Sequence, residues 1–186
     1  MHACGHDGHT ATLVGAAMVL SQVADELPGK IKFVFQPAEE DGGGGGQLCE
    51  KGVLESRKVN AALALHAWPT DVAGSVVVNK GPVTAANNEI NIRIKGRGGH
   101  GAYPHKCVDP VVAAARVITA LQTIVARTVP PLDCAVVSIT QVTVGSATNI
   151  IPPECFMRGT IRYYKQELGE LIRRRVREIA EHTARA

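Results

Sequence analysis

Aromatic residues are scarce in this 186-residue chain, 4% of the total with a single tryptophan, and no charge of one sign dominates it. The formal net charge is +3, and much of the basic excess sits at Arg173, Arg174, Arg175 and Arg177. Glu167, Glu170, Glu178 and Glu181 interleave with that cluster, the pattern of a solvated helix face. Nucleic-acid surfaces combine basic stripes with stacking aromatics, so nucleic acid is not an expected partner. The five cysteines, at 4, 49, 107, 134 and 155, make an odd count with no CxxC pair. A reduced, cytoplasmic setting fits that pattern better than a disulfide framework does. The opening residues lack the apolar core of a signal sequence. No apolar run reaches the roughly 20 residues that span a bilayer, so no membrane is expected either.

What is present is an ordinary globular balance, 45% hydrophobic and 20% charged, with 19 glycines of which five run from Gly42 to Gly46. Residues 9–27 place Leu13, Ala16, Ala17, Leu20 and Val23 near helical spacing, with Pro28-Gly29 as the stop. Short apolar runs at 31–35 and 61–67, separated by a helical stretch at 47–54, predict two buried strands of a parallel α/β sheet. Ligand-bearing residues of such sheets collect at the carboxyl ends of the strands, where Glu39, Glu40 and His66 fall. The character then changes near 79–86. Residues 88–95 alternate Ile90, Ile92 and Ile94 with polar neighbours, predicting a half-buried strand. A helix over 109–127 follows, with Asp109 as N-cap and Pro110 in its first turn. Strands at 135–144 and 155–164 and an amphipathic helix at 166–186 complete a β-α-β-β-α order, a ferredoxin-like α+β sandwich without its last strand. The chain therefore divides into an α/β region, 1–80, and a second region, 81–186.

Chemistry-bearing residues cluster early. His2-Ala3-Cys4-Gly5-His6-Asp7-Gly8-His9 packs three imidazoles, a thiol and a carboxylate into eight residues, donors that suit divalent transition metals. A chance His-rich start or a tag remnant is the bland alternative. Glu39-Glu40 is either a solvated acidic loop or a pair in which one carboxylate binds metal while its neighbour moves a proton. His66, alone, reads as a core histidine. Their joint placement at strand ends favours a site.

Five motifs in order, MHACGHDGHT, FVFQPAEEDGGG, LHAWP, GRGGHGAYPH and SATNIIPPECFMRGTIRYY, resemble those of the metal-dependent amidohydrolases of the aminoacylase, carboxypeptidase and hippurate hydrolase superfamily. Hippurate hydrolase and the plant hydrolases of indole-acetyl amino-acid conjugates are the most similar branch, and the likeness covers essentially the whole chain. The resemblance implies a phosphorylase/hydrolase-like metallopeptidase catalytic sheet with a ferredoxin-like lid that dimerises. It implies Cys4, His6, Glu40 and His66 as ligands of two divalent ions (Zn, Mn, Co or Ni), with the Cys4 sulfur able to bridge them. Glu39 matches the general base that takes a proton from the attacking water. His100 matches the lid histidine that reaches the partner subunit's site and stabilises the oxyanion. Asn149 and Arg162 match groups that hold the amide and carboxylate ends of a small N-acyl amino acid or amino-acid conjugate; Tyr103 and His105 stand beside His100 in a supporting place.

The family it resembles begins upstream, with a strand and a DMDALP-like segment, and continues beyond residue 186 to a further metal-binding histidine. The expectation is thus an internal fragment, with Val34, Phe33, Leu63 and Leu65 short of packing partners and little hydrolysis by the isolated chain. Two other classes compete: a dimerisation module without catalysis, and a metal-storage or sensing protein that uses the HACGHDGH arm.

Overall fold

Residue spacing accounts for most of the architecture in the computed structural model, which describes residues 4–40, 43–55 and 57–186. The chain forms two units, Met1–Val76 and Val77–Ala186. Met1, His2 and Ala3 of the first motif and Gly42 of the glycine run lie outside the described residues.

The first unit carries helix α1 (His6–Gln22), a 3-10 turn at Ala24–Glu26 and helix α2 (Gly44–Glu50). Leu13, Ala16, Ala17, Leu20 and Val23 form the half-buried stripe of α1, as their spacing predicts. The helix starts three residues earlier than expected and none of its residues is fully buried. Gly44, Gly45 and Gly46 make the first turn of α2. The two strands predicted at 31–35 and 61–67 are absent among the described residues. Ile31, Val34, Phe35, Leu63 and Leu65 are exposed, Leu63 completely, while Phe33 is half-buried. A parallel strand is stable only when neighbours pair both edges and helices cover both faces. Neither run has a ladder partner here, so the apolar pattern is present without the sheet that would use it.

In the second unit, β1 (Ala86–Lys95), β3 (Ala135–Val144) and β5 (Glu154–Tyr163) form an antiparallel sheet in the order β1-β5-β3. A two-stranded ladder joins β2 (Gly99–His100) to β4 (Ile150–Ile151). Helices α3 (Pro110–Thr123) and α4 (Gln166–Arg185) pack on the sheet. Asp109 caps α3 by accepting the Val111 N–H at 2.8 Å, and Pro110 occupies the first turn, where no backbone donor is lost. The core is built from Ile90 and Ile94 of β1, Val117 and Leu121 of α3, Met157 and Ile161 of β5 and Ile172 of α4. This is the β-α-β-β-α order expected from the sequence, with the third long strand central, as in a ferredoxin-like sandwich short of its closing strand.

One apolar segment exceeds the sequence-based reading. Residues Pro110–Thr128 form a helix long and apolar enough, by length and composition, to cross a membrane. Here Ala114, Val117, Leu121 and Ile124 of that segment are buried in the sandwich core, which explains its composition.

A polar clamp ties α4 to the sheet. Tyr163 Oη donates to Asn88 Oδ1 at 2.9 Å, and Arg173 donates to the same oxygen at 2.8 Å. The Tyr163 ring lies so close to Gly169 that a Cβ there would sit 2.3 Å from it.

Candidate metal centre

Two local backbone features present the donors. Gly5 precedes α1 at φ 80, so the chain can turn between Cys4 and the first helical residue, His6. Ala38 has φ 52, an unfavourable left-handed conformation for a residue with a Cβ, immediately before Glu39 and Glu40. The Ala38 carbonyl accepts the Gly44 N–H at 3.2 Å. A Cβ on Gly44 would lie 1.7 Å from the Pro37 oxygen. Within the run, it is therefore Gly44 that lets α2 close against the loop carrying the acidic pair.

These turns bring Cys4, His6, Glu39 and Glu40 together, with one donor atom from each lying within 4.8 Å of all the others. His6 Nε2 stands 3.3 Å from Glu40 Oε1 and 3.7 Å from Glu39 Oε2. His66 joins through its Nε2, 3.4 Å from Cys4 Sγ. All five residues of the sequence-based set thus meet in the first unit, although the sheet expected to carry three of them is not formed. The side chains of His6, Glu39 and Glu40 are about half exposed, so small molecules can reach them.

The electrostatics suit a cation. Desolvation raises the Cys4 thiol above its ordinary value, and the charges of Glu40 and Glu39 and a hydrogen bond to Glu40 raise it further. A divalent ion reverses each electrostatic influence, because it favours the thiolate and neutralises the carboxylates. A thiol, two imidazoles and two carboxylates at this spacing form a fitting donor set for a borderline transition ion.

The remaining predicted residues lie in the second unit. His100 and Asn149 come together across the short ladder: His100 pairs with Ile150, and Gly101 donates its N–H to the Asn149 carbonyl at 2.7 Å. His100 Nδ1 accepts the Ala102 N–H at 3.1 Å, which leaves Nε2 as the N–H side of a neutral ring. Tyr103 is 5.5 Å from His100 and 6.2 Å from His105, ring centre to ring centre. Arg162 stands on β5, opposite Asn87 and Val136, and lines a cleft with Tyr163, Tyr164, Pro130 and Pro131.

Sequence reasoning counted His9 among the imidazoles of the first motif but assigned it no role. Its ring centre is 4.4 Å from that of His66 and 5.7 Å from that of His6. The available signal was its spacing: residues three apart share a helix face, so His9 lies beside His6.

One thiol, two imidazoles and two carboxylates make a donor set of the metal-binding kind in the first unit, and the second unit is a ferredoxin-like α+β fold. The chain belongs to peptidase family M20/M25/M40, whose model matches residues 1–163. It is 42% identical over 184 residues to an N-acetylcysteine deacetylase of Bacillus subtilis, covering 99% of this chain and 48% of that protein. It is 40% identical over 184 residues to the IAA-amino acid hydrolase ILR1-like 4 of Arabidopsis thaliana, covering 99% of this chain and 41% of that protein. Among solved structures, the Bacillus subtilis YXEP protein, a dinuclear metal-binding peptidase of family M20, matches with a TM-score of 0.75 at 38% identity. That match covers 99% of this chain and 45% of the other. The chain thus spans about half the length of the relatives it matches.

Proposed function

We propose that this chain houses the metal centre and lid of an amidohydrolase that cleaves the amide bond of N-acyl amino acids or amino-acid conjugates. The observation that carries the reading is the convergence of Cys4, His6, Glu39, Glu40 and His66 at the distances given above. The relatives' activities, on an N-acetyl amino acid and on an indole-acetyl amino-acid conjugate, support an amide substrate of this class.

Cys4, His6, Glu40 and His66 would hold two divalent ions, zinc, manganese, cobalt or nickel. Such ions supply positive charge that polarises a scissile carbonyl and brings the pKa of a nearby water towards about 7. Glu39, the carboxylate farther from His6, takes the proton of the attacking water and returns it to the leaving amine. His100, with Nδ1 engaged by Ala102, offers its Nε2–H to the developing oxyanion of a second copy's site. Loss of such a donor costs about 3 kcal/mol of transition-state stabilisation. Asn149 and Arg162 hold the amide and carboxylate ends of the substrate, and the lid pairs two copies into a homodimer.

The test combines metal affinity with release of free amino acid from N-acetyl and N-benzoyl substrates in the presence of Mn²⁺, Zn²⁺ or Co²⁺. Glu39→Gln should keep the metal and lose metal-dependent release. Failure of the wild type to bind any of the three ions would sink the reading. A second reading, a dimerisation module without turnover, draws on one observation: the buried apolar cluster lies wholly in the second unit. It predicts self-association with metal binding but no release.

A further inference from the structure

The histidine left without a role, His9, makes one polar contact that bears on the site. Its Nε2 accepts the backbone N–H of Ala67 at 2.9 Å. An N–H can only donate, so this nitrogen carries the lone pair, and that lone pair is taken up by the Ala67 peptide. Ala67 follows His66, and its carbonyl lies 2.6 Å from His66 Nδ1. A carbonyl can only accept, so His66 Nδ1 carries the hydrogen and Nε2 presents its lone pair, the nitrogen that lies 3.4 Å from Cys4 Sγ. The residue that sets the tautomer and ring angle of His66 is therefore its own neighbour's peptide, and His9 holds that residue in place. Gly5 adjoins the same residue, its Cβ position lying 3.4 Å from the Ala67 Cβ.

We infer that His9 is a positioning residue: anchored on α1, it fixes Ala67 and through it orients His66 towards the metal, without being a ligand itself. The inference deepens the metal-centre reading and rests on it. Partners that orient metal-bound histidines are worth about 10- to 100-fold in metal affinity.

The test compares two replacements of similar length and helix propensity. His9→Gln places an amide oxygen, an acceptor, where Nε2 stands, whereas His9→Met supplies no comparable acceptor. Each is titrated with Co²⁺ alone, followed by the visible spectrum and by the fluorescence of Trp68, whose ring lies 6.0 Å from His66. The metal-free helix content of both is checked by circular dichroism. The expected result is Co²⁺ affinity about 10- to 100-fold weaker in His9→Met and close to wild type in His9→Gln. Wild-type affinity in His9→Met would overturn the inference and leave the metal centre standing. Equal weakening in both variants would overturn it as well, since the imidazole rather than an acceptor would then be required. A wild type that binds no Co²⁺ would remove the metal-centre reading and this inference with it.

Discussion

Replacing Gly159 by alanine tests the packing of the second unit at its narrowest point. Gly159 is central in β5, opposite Ile90 on one side and Ile139 on the other. The register with β3 shifts between Ile139 and Gln141, a bulge that leaves Thr140 without a partner residue in the ladder beside Gly159. A Cβ there would lie 2.1 Å from the Ser138 carbonyl oxygen and 3.0 Å from the Ile139 Cα, both backbone atoms. Neither can move without disturbing the ladder, so the strain resembles overpacking, about 1–3 kcal/mol. Alanine's conformational advantage over glycine returns about 0.5–1 kcal/mol. The net expectation is a loss of about 1 kcal/mol and at most about 2.5, and at about 4–8 °C per kcal/mol for a unit of this size the melting temperature falls by roughly 4–20 °C. Gly15→Ala is the control, because no heavy atom lies within 4 Å of its Cβ position in α1. It should stabilise the first unit by about 0.5–1 kcal/mol. Far-UV circular dichroism follows the whole chain, and the single tryptophan, Trp68, reports the first unit separately. A Gly159→Ala chain that melts at or above the wild-type temperature would refute the reasoning.

Three other outcomes follow from single contacts. Tyr163→Phe removes the hydroxyl that donates to Asn88 and accepts from Arg173, and urea unfolding should show a loss of about 1 kcal/mol, with a smaller loss in an Asn88→Ala background, where only the Arg173 bond remains. Lys165 is held above its ordinary value of 10.5 by a hydrogen bond to Asp133 and by that residue's charge. A raised folded-state pKa contributes stability that is present below the unfolded value and is lost as pH climbs through the folded one. The wild-type melting temperature should therefore fall more steeply above pH 10.5 than that of Asp133→Asn. Cys4 is likewise raised from 9.0, so at neutral pH its thiol keeps its proton and metal binding must release it. Calorimetry in two buffers of different ionisation enthalpy should show this release in the wild type and one proton less in Cys4→Ser.

The second unit was legible because its signals are local. The alternation of Ile90, Ile92 and Ile94, the Asp109-Pro110 start and the amphipathic spacing of α4 each specify an element that finds its partners within the same stretch of chain. The strands expected at 31–35 and 61–67 failed for the opposite reason. Their apolar runs demand pairing on both edges and cover on both faces, and no described residue provides it. Cys4, His6, Glu39 and Glu40 still lie together, because a turn at Gly5, a strained Ala38 and a tight contact at Gly44 place them without a ladder. His9 was given no role because a residue type and a spacing do not reveal which backbone N–H a ring nitrogen accepts; that depends on Ala67, 58 residues away in sequence.

The joint action of Cys4, His6, Glu39, Glu40 and His66 is the central claim, and a Co²⁺ titration of the wild-type chain addresses it directly. Thiolate ligation gives cobalt a strong charge-transfer absorption, and a paramagnetic ion beside His66 quenches Trp68. The absorption should rise and the Trp68 fluorescence fall over the same Co²⁺ range and saturate together, Cys4→Ser should abolish the absorption, and His66→Ala should weaken binding. A titration with no saturable change in either signal would contradict the claim.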